Sequence, residues 1–223
     1  MDNFDLNFNG VRKPTVLLLS AHTDDCEFGM GATISRLSKA GAEIHLLVFC
    51  NAWQSLPDGF PKDTLIREQY NSAEKLGISK ENIQFDDIPV RCFPEHRQRI
   101  LERLVVAKKQ IKPDIVFCPS LQDNHQDHYT LAREAQRAFK DISLVGFIFP
   151  WNVQTEIRHL FVEVSEHDIA VKLSAISCYK SQLTRNYGDP DMISMHPKFG
   201  GLVISKNNAE IFEVLRIVVP LKN

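Results

Sequence analysis

Residues Thr15 to Glu27 read TVLLLSAHTDDCE. A short continuous apolar run that stops in a polar, acidic turn is a strand covered on both faces, with the turn at its carboxyl end. Residues Asp114 to His128, DIVFCPSLQDNHQDH, repeat the arrangement. Working outward, strands are expected at 15–20, 44–50, 83–88, 114–119, 144–149 and 159–164. Helical patterns lie between them at 29–40, 63–76, 94–110 and 127–140, and one follows at 166–182. Gly41 and Gly77 stand where left-handed helix caps are wanted, and Pro113 lies just past the third helix. Alternation of this kind predicts an α/β fold: one doubly wound, mostly parallel open sheet, Rossmann-like, with helices on both faces and right-handed crossovers. The whole chain, 1–223, is expected to form one domain.

Composition narrows the function classes. The 223 residues are 43% hydrophobic and 24% charged, as in ordinary folded domains. A formal net charge of -2, with Lys and Arg scattered, argues against a nucleic-acid groove. No apolar run reaches the roughly 18 residues needed to cross a bilayer, and MDNFDLNFNG lacks the features of a signal peptide, so a cytoplasmic protein without a membrane anchor is expected. The five cysteines contain no CxxC pair and sit mostly in apolar contexts, which reads as buried thiols in a reducing compartment. Cys26 is disfavoured as a nucleophile, because the adjacent Asp24 and Asp25 would raise its pKa. The stretches 51–62 and 184–201 are read as long loops, of the kind that often carry function.

The chemistry concentrates at two strand ends. His22, Asp24 and Asp25 leave the first strand, while Asp123, His125, Asp127 and His128 leave the fourth, so the topology brings the two clusters face to face. Carboxylates about 4 Å apart repel by roughly 4 kcal/mol at an effective dielectric of 20, so the crevice requires countercharge. A divalent metal supplies it, and a His2Asp set fits zinc with a position open for water. Either cluster alone reads equally as a surface hydrogen bond or a helix cap, Asp123 or Asn124 being natural caps; the pair together favours the metal. His45, His96, His159 and His167 are read as structural.

AHTDD and HQDH resemble the paired AHPDD and HPDH motifs of the LmbE/PIG-L family of zinc-dependent N-acetylglucosaminyl deacetylases. Weaker similarity extends through Arg67–Glu68, the 73–77 and 172–182 segments, Gly200, Gly201, Ala209, Glu210 and Phe212. The resemblance implies zinc, or another divalent metal such as iron or manganese, on His22, Asp25 and His128, the trio that spacing also selects. It implies Asp24 as general base, His125 as a second catalytic group oriented by Asp127, and Arg67 as a substrate-binding residue. Thr23 and Gln126 replace the family's usual prolines at positions that are not ligands. The implied activity is removal of an N-acetyl group from an N-acetylglucosamine-type sugar or conjugate. A zinc amidase for larger acyl groups and a non-catalytic sugar- or nucleotide-binding module are the alternatives; no GxGxxG follows the first strand to support the latter. Trp53 and Trp151 are candidates to stack on a pyranose ring, and His196 and Lys198 to close over the site. The partner is then a small water-soluble molecule, and self-association is left open.

Overall fold

The computed structural model describes residues 13–153, 159–182 and 188–219. Seven strands form one sheet: β1 Thr15–His22, β2 Glu43–Cys50, β3 Ile83–Phe85, β4 Ile115–Pro119, β5 Ser143–Phe147, β6 His159–Glu163 and β7 Ala209–Arg216. Six α-helices cover it: α1 Asp25–Lys39, α2 Thr64–Lys75, α3 Arg97–Ile111, α4 Gln126–Ala138, α5 Glu166–Ile176 and α6 Pro190–Val203. The strand order is β3-β2-β1-β4-β5-β7-β6. Only β7 is reversed, pairing antiparallel with both β5 and β6. β1 pairs with β2 on one side and with β4 on the other. The order therefore switches direction between β1 and β4, and a doubly wound sheet opens a crevice at that point.

Alternate residues of β1 feed two apolar layers. Val16 and Leu18 pack with Met30 and Ile34 of α1 and Ile169 of α5. Leu17 and Leu19 pack with Ile100 and Leu104 of α3 and Leu131 and Ala135 of α4. Helix α1 begins at Asp25, four residues before the sequence pattern suggested, because its glycines serve packing rather than a turn. A Cβ at Gly29 would come within 2.5 Å of Phe147, and one at Gly31 within 2.9 Å of Lys172. Met30 leaves the helical region, at φ -154 and ψ 22, and so interrupts the helix. The carboxylate of Glu210 in β7 receives the amides of Thr33 at 2.7 Å and Ala32 at 3.3 Å just beyond that break. Lys172, fully buried, neutralises it at 2.6 Å.

Helix α6 and strand β7 are not among the elements expected from the sequence. Residues 190–201 fall within the stretch expected as a long loop, because Pro197, Gly200 and Gly201 lie inside the helix. Gly200 lets α6 touch β7, since a Cβ there would meet the Ala209 carbonyl at 2.2 Å. β7 hid its period because Glu210 and Glu213 both point into the interior. The expected helix at 166–182 stops at Ile176, and the expected strand at 83–88 is three residues long. The expected loop 51–62 includes a short 3-10 turn at Trp53–Ser55, and residues 184–187 of the other expected loop lie outside the described residues.

Asp168 couples α5 to α1. Its carboxylate caps the α5 start by accepting from the Ser165 amide at 3.0 Å, and it also meets Ser35 at 2.9 Å and Lys39 at 2.6 Å. Burial opposes its charge, but Lys39, Ser165 and Ser35 prevail and lower its pKa to about 2. A depressed carboxylate adds stability above its unfolded pKa of about 3.9 and loses it as pH falls through the folded value. Asp168→Asn should therefore cost about 2 kcal/mol at pH 7 and flatten the stability profile between pH 4 and 2, as measured by urea unfolding across pH.

Candidate active site

β1 ends at His22, and Asp24 follows in the left-handed region with φ 78, which an Asp side chain tolerates better than most. The turn allows Asp25 to open α1 while its carboxylate accepts the His22 amide at 2.7 Å. On the neighbouring strand, β4 leads into a turn in which Asp123 accepts the His125 amide at 2.7 Å. His125 then serves as the N-cap of α4, and its Nδ1 accepts the Asp127 amide at 3.2 Å. His128 follows one turn later on the same face.

These turns bring the two clusters together. His128 Nε2 lies 3.2 Å from His22 Nδ1 and 3.4 Å from Asp25 Oδ1, and His22 Nδ1 lies 3.7 Å from Asp25 Oδ2. Each imidazole is fixed from behind by a carboxylate: His128 Nδ1 meets Asp123 at 2.8 Å, and His22 Nε2 meets Asp127 at 2.9 Å. Those bonds place the ring protons on the outer nitrogens, so two lone pairs and a carboxylate oxygen converge. Three protein donors with room beside them form the arrangement of a catalytic metal centre, and the donor set suits zinc. A second grouping, His22 with His125 and Asp127, also has its donors within 4.8 Å. It is the poorer site, because the Asp127 carboxylate is already taken by His22 and by the amides of Arg91 at 2.6 Å and Phe93 at 3.3 Å.

The electrostatics express the same demand for positive charge. Burial works against charge on His128, yet Asp25 and Asp123 outweigh it and raise its pKa to about 10. His22 is raised by Asp127 and Asp25, also against burial. Asp25, although buried, is held far below the usual carboxylate range by His128 and His22. His125 differs: burial, then the charges of His128 and His22, lower its pKa. Its Nδ1 accepts a backbone N–H, so the neutral ring carries its proton on Nε2. Cys26 is inert, its thiol driven up by burial and by Glu27 and Asp25.

Above the cluster lies a cavity of about 430 Å³, lined by His22, Asp24, Asp25, His125 and His128 together with an aromatic wall that includes Phe149 and Trp151. Two sequence-derived assignments change. The Asp127 carboxylate supports His22 rather than His125, because the α4 cap turns the Asp127 amide, not its side chain, toward His125. Arg67 does not line the cavity; it is exposed on α2 and pairs with Asp63 one turn away, at 3.2 Å. Trp151 lines the cavity, whereas Trp53 lies beneath Lys62, 4.1 Å from its ring. His196 and Lys198 belong to α6 and do not line the cavity.

Arg91, for which no motif or periodicity provides a signal, lines the cavity from a loop position with φ 66. Gln69 was also missed; it is fully buried on α2, receives the Asp24 amide at 3.4 Å and donates to Glu27 at 2.6 Å. Only the inward side of an amphipathic helix pattern could have pointed to it. The role of Asp123 was visible only as a carboxylate five residues before His128.

Fold and site together define a class: a doubly wound α/β protein with a His2Asp metal-type centre at its topological switch point. The chain belongs to the PIG-L family, whose model, described as GlcNAc-PI de-N-acetylase, matches residues 17–139. It is 29% identical over 205 residues to the diacetylchitobiose deacetylase of Thermococcus kodakarensis, a match covering 81% of this chain and 74% of that protein. Its fold is similar to that of the N,N'-diacetylchitobiose deacetylase of Pyrococcus horikoshii, at a TM-score of 0.75 and 20% identity, over 95% of this chain and 87% of the other. The 4-carboxy-2-hydroxymuconate hydratase of Pseudomonas putida has a similar fold at a TM-score of 0.75 and 18% identity, over 94% and 99% of the two chains.

If the carboxylates behind the imidazoles tune a metal site, Asp127→Asn should weaken zinc affinity by roughly 10- to 100-fold while leaving the fold intact. Competition titration with a zinc-sensitive dye measures this directly, and unchanged affinity would reduce Asp127 to a scaffold residue.

Proposed function

We propose that this protein is a zinc-dependent N-deacetylase that removes the acetyl group from an N-acetylglucosamine-type sugar or sugar conjugate. The observation that carries the reading is the convergence of His22 Nδ1, Asp25 and His128 Nε2 beside Asp24 at the floor of a cavity. His22, Asp25 and His128 would hold the metal, which when bound lowers the pKa of water toward about 7 and polarises an amide carbonyl.

The chain's own groups complete the reaction. Asp24 accepts a proton from the attacking water. The water oxygen forms a bond to the acetamide carbon, and the developing oxyanion receives a hydrogen bond from His125 Nε2–H. Asp24 then returns the proton to the nitrogen as the C–N bond breaks, giving acetate and a free amine. A neutral His125 suits the donor role and leaves proton transfer to Asp24. The cavity volume is within the range of small-molecule sites and suits a sugar of one or two rings. Relatives named as diacetylchitobiose deacetylases support the same substrate class.

Elemental analysis of the purified protein should find about one zinc per chain, lost in His128→Ala. Asp24→Asn should keep the zinc but lose roughly 10²- to 10⁴-fold in acetate release from N,N'-diacetylchitobiose. Full metal retention in His128→Ala would remove that residue from the ligand set. A panel of N-acyl chain lengths separates a deacetylase from an amidase for larger acyl groups.

A further inference from the structure

Helix α6 is apolar on two opposite faces. Ile193, Pro197, Gly200 and Gly201 are buried. On the opposite side, Met192, Met195, Phe199, Leu202 and Val203 keep between 53% and 75% of their surface in solvent. Their spacing, 192, 195, 199, 202 and 203, is that of a single helical stripe. Scattered exposed apolar residues are ordinary, but a continuous stripe of five large side chains, on the order of 500 Å² of apolar surface, marks an interaction surface.

We propose that α6 pairs with α6 of a second copy of this chain, antiparallel across a two-fold axis beside Met195. Two features fix the occupant and the register. First, the flanking charges are self-complementary: Asp191 and Lys198 lie seven residues, or two turns, apart along one side of the stripe. An axis near Met195 places Asp191 of each copy opposite Lys198 of the other, giving two ion pairs by symmetry. The same axis sets Met192 of one copy level with residue 197 of the other, about 3 Å along the helix from Phe199, so the apolar side chains interleave in the register that pairs the charges. A two-fold interface requires this reciprocity, with residue i meeting j and j meeting i.

Second, the amount of surface is right. A stable interface removes about 800 Å² per partner, and the stripe with its charged flanks supplies most of that from one helix. A membrane surface fits less well: interfacial helices carry several Lys or Arg on the polar face, whereas α6 has Lys198 alone, offset by Asp191. The inference is independent of the reaction proposed above.

Sedimentation velocity on the full chain, from low to high micromolar concentration, tests the pairing. The wild type should sediment at twice its 25.5-kDa chain mass. Met195→Glu and Phe199→Glu, at exposed positions, should each give a folded monomer with an unchanged far-ultraviolet circular dichroism spectrum. Asp191→Lys and Lys198→Asp should each weaken association at least tenfold, and the double exchange should restore it. A wild type that stays monomeric, or glutamate variants that associate normally, would overturn the proposal. A double exchange that stays dissociated overturns the antiparallel register, and a monomer captured by phosphatidylcholine–phosphatidylserine vesicles assigns the stripe to a membrane instead.

Discussion

Two imidazole nitrogens face each other across 3.2 Å, His22 Nδ1 and His128 Nε2, with the Asp25 carboxylate beside both and Asp123 and Asp127 behind them. Such an arrangement needs positive charge at its centre. Protons can supply it, and the raised pKa values of both imidazoles express that demand. A divalent cation satisfies it more fully, because it accepts all three donors at once and releases the protons. The rest of the site follows from this constraint. Carboxylates that would repel one another are separated by imidazoles, and each outer oxygen is tied to a ring nitrogen or an amide.

The fold meets the constraint through the switch between β1 and β4, where adjacent strands send their following helices to opposite faces. Asp127 then extends the order outward. By accepting the amides of Arg91 and Phe93, it binds the segment entering α3 to the metal-type centre, which places Arg91 on the cavity wall. Glu27 performs a similar task inside the core, where its Oε1 receives Gln69 at 2.6 Å, Ser72 at 2.8 Å and Tyr179 at 3.0 Å. Through Gln69 this hub reaches the Asp24 amide, so the strained residue proposed as the base is braced from α2. Unpartnered buried charge is costly, and here each such carboxylate joins several elements.

How much of this was legible in the sequence depended on whether one segment carried its own signal. The six strands read from apolar runs are all present; β1, β4 and β5 are buried on both faces and so are written as continuous runs, whereas β3 and β6 are shorter and partly exposed. Helix α6 and strand β7 were illegible for related reasons. The helix contains Pro197 and two glycines used for close approach, and the strand turns Glu210 and Glu213 inward. Both buried glutamates are satisfied by residues distant in the chain: Lys172 with the Ala32 and Thr33 amides for Glu210, and Ser120 with the Leu121 amide for Glu213. At the site, His22, Asp25 and His128 were legible because topology alone carries them to one edge. The partner of Asp127 was not, because a rotation of one helix cap decides which of two histidines its carboxylate reaches.

The scaffold does not by itself name the reaction, since a hydratase with a carboxylated substrate in its name has a similar fold. What separates the chemistries is the lining above the centre. A substrate with several carboxylates would call for several fixed cations, because each buried anion needs its own countercharge. Arg91 is the one Arg or Lys side chain that lines this cavity among the described residues, and neutral hydrogen-bonding groups such as Ser55, Asn152 and Gln182 accompany it. Trp151 and Phe149 form an aromatic surface, their ring centroids 5.4 Å apart, on the same wall. Hydroxyl-rich rings present just these needs, an apolar face to cover and many neutral donors and acceptors to satisfy. The lining therefore favours a neutral, hydroxyl-rich ligand, and it disfavours a polyanion.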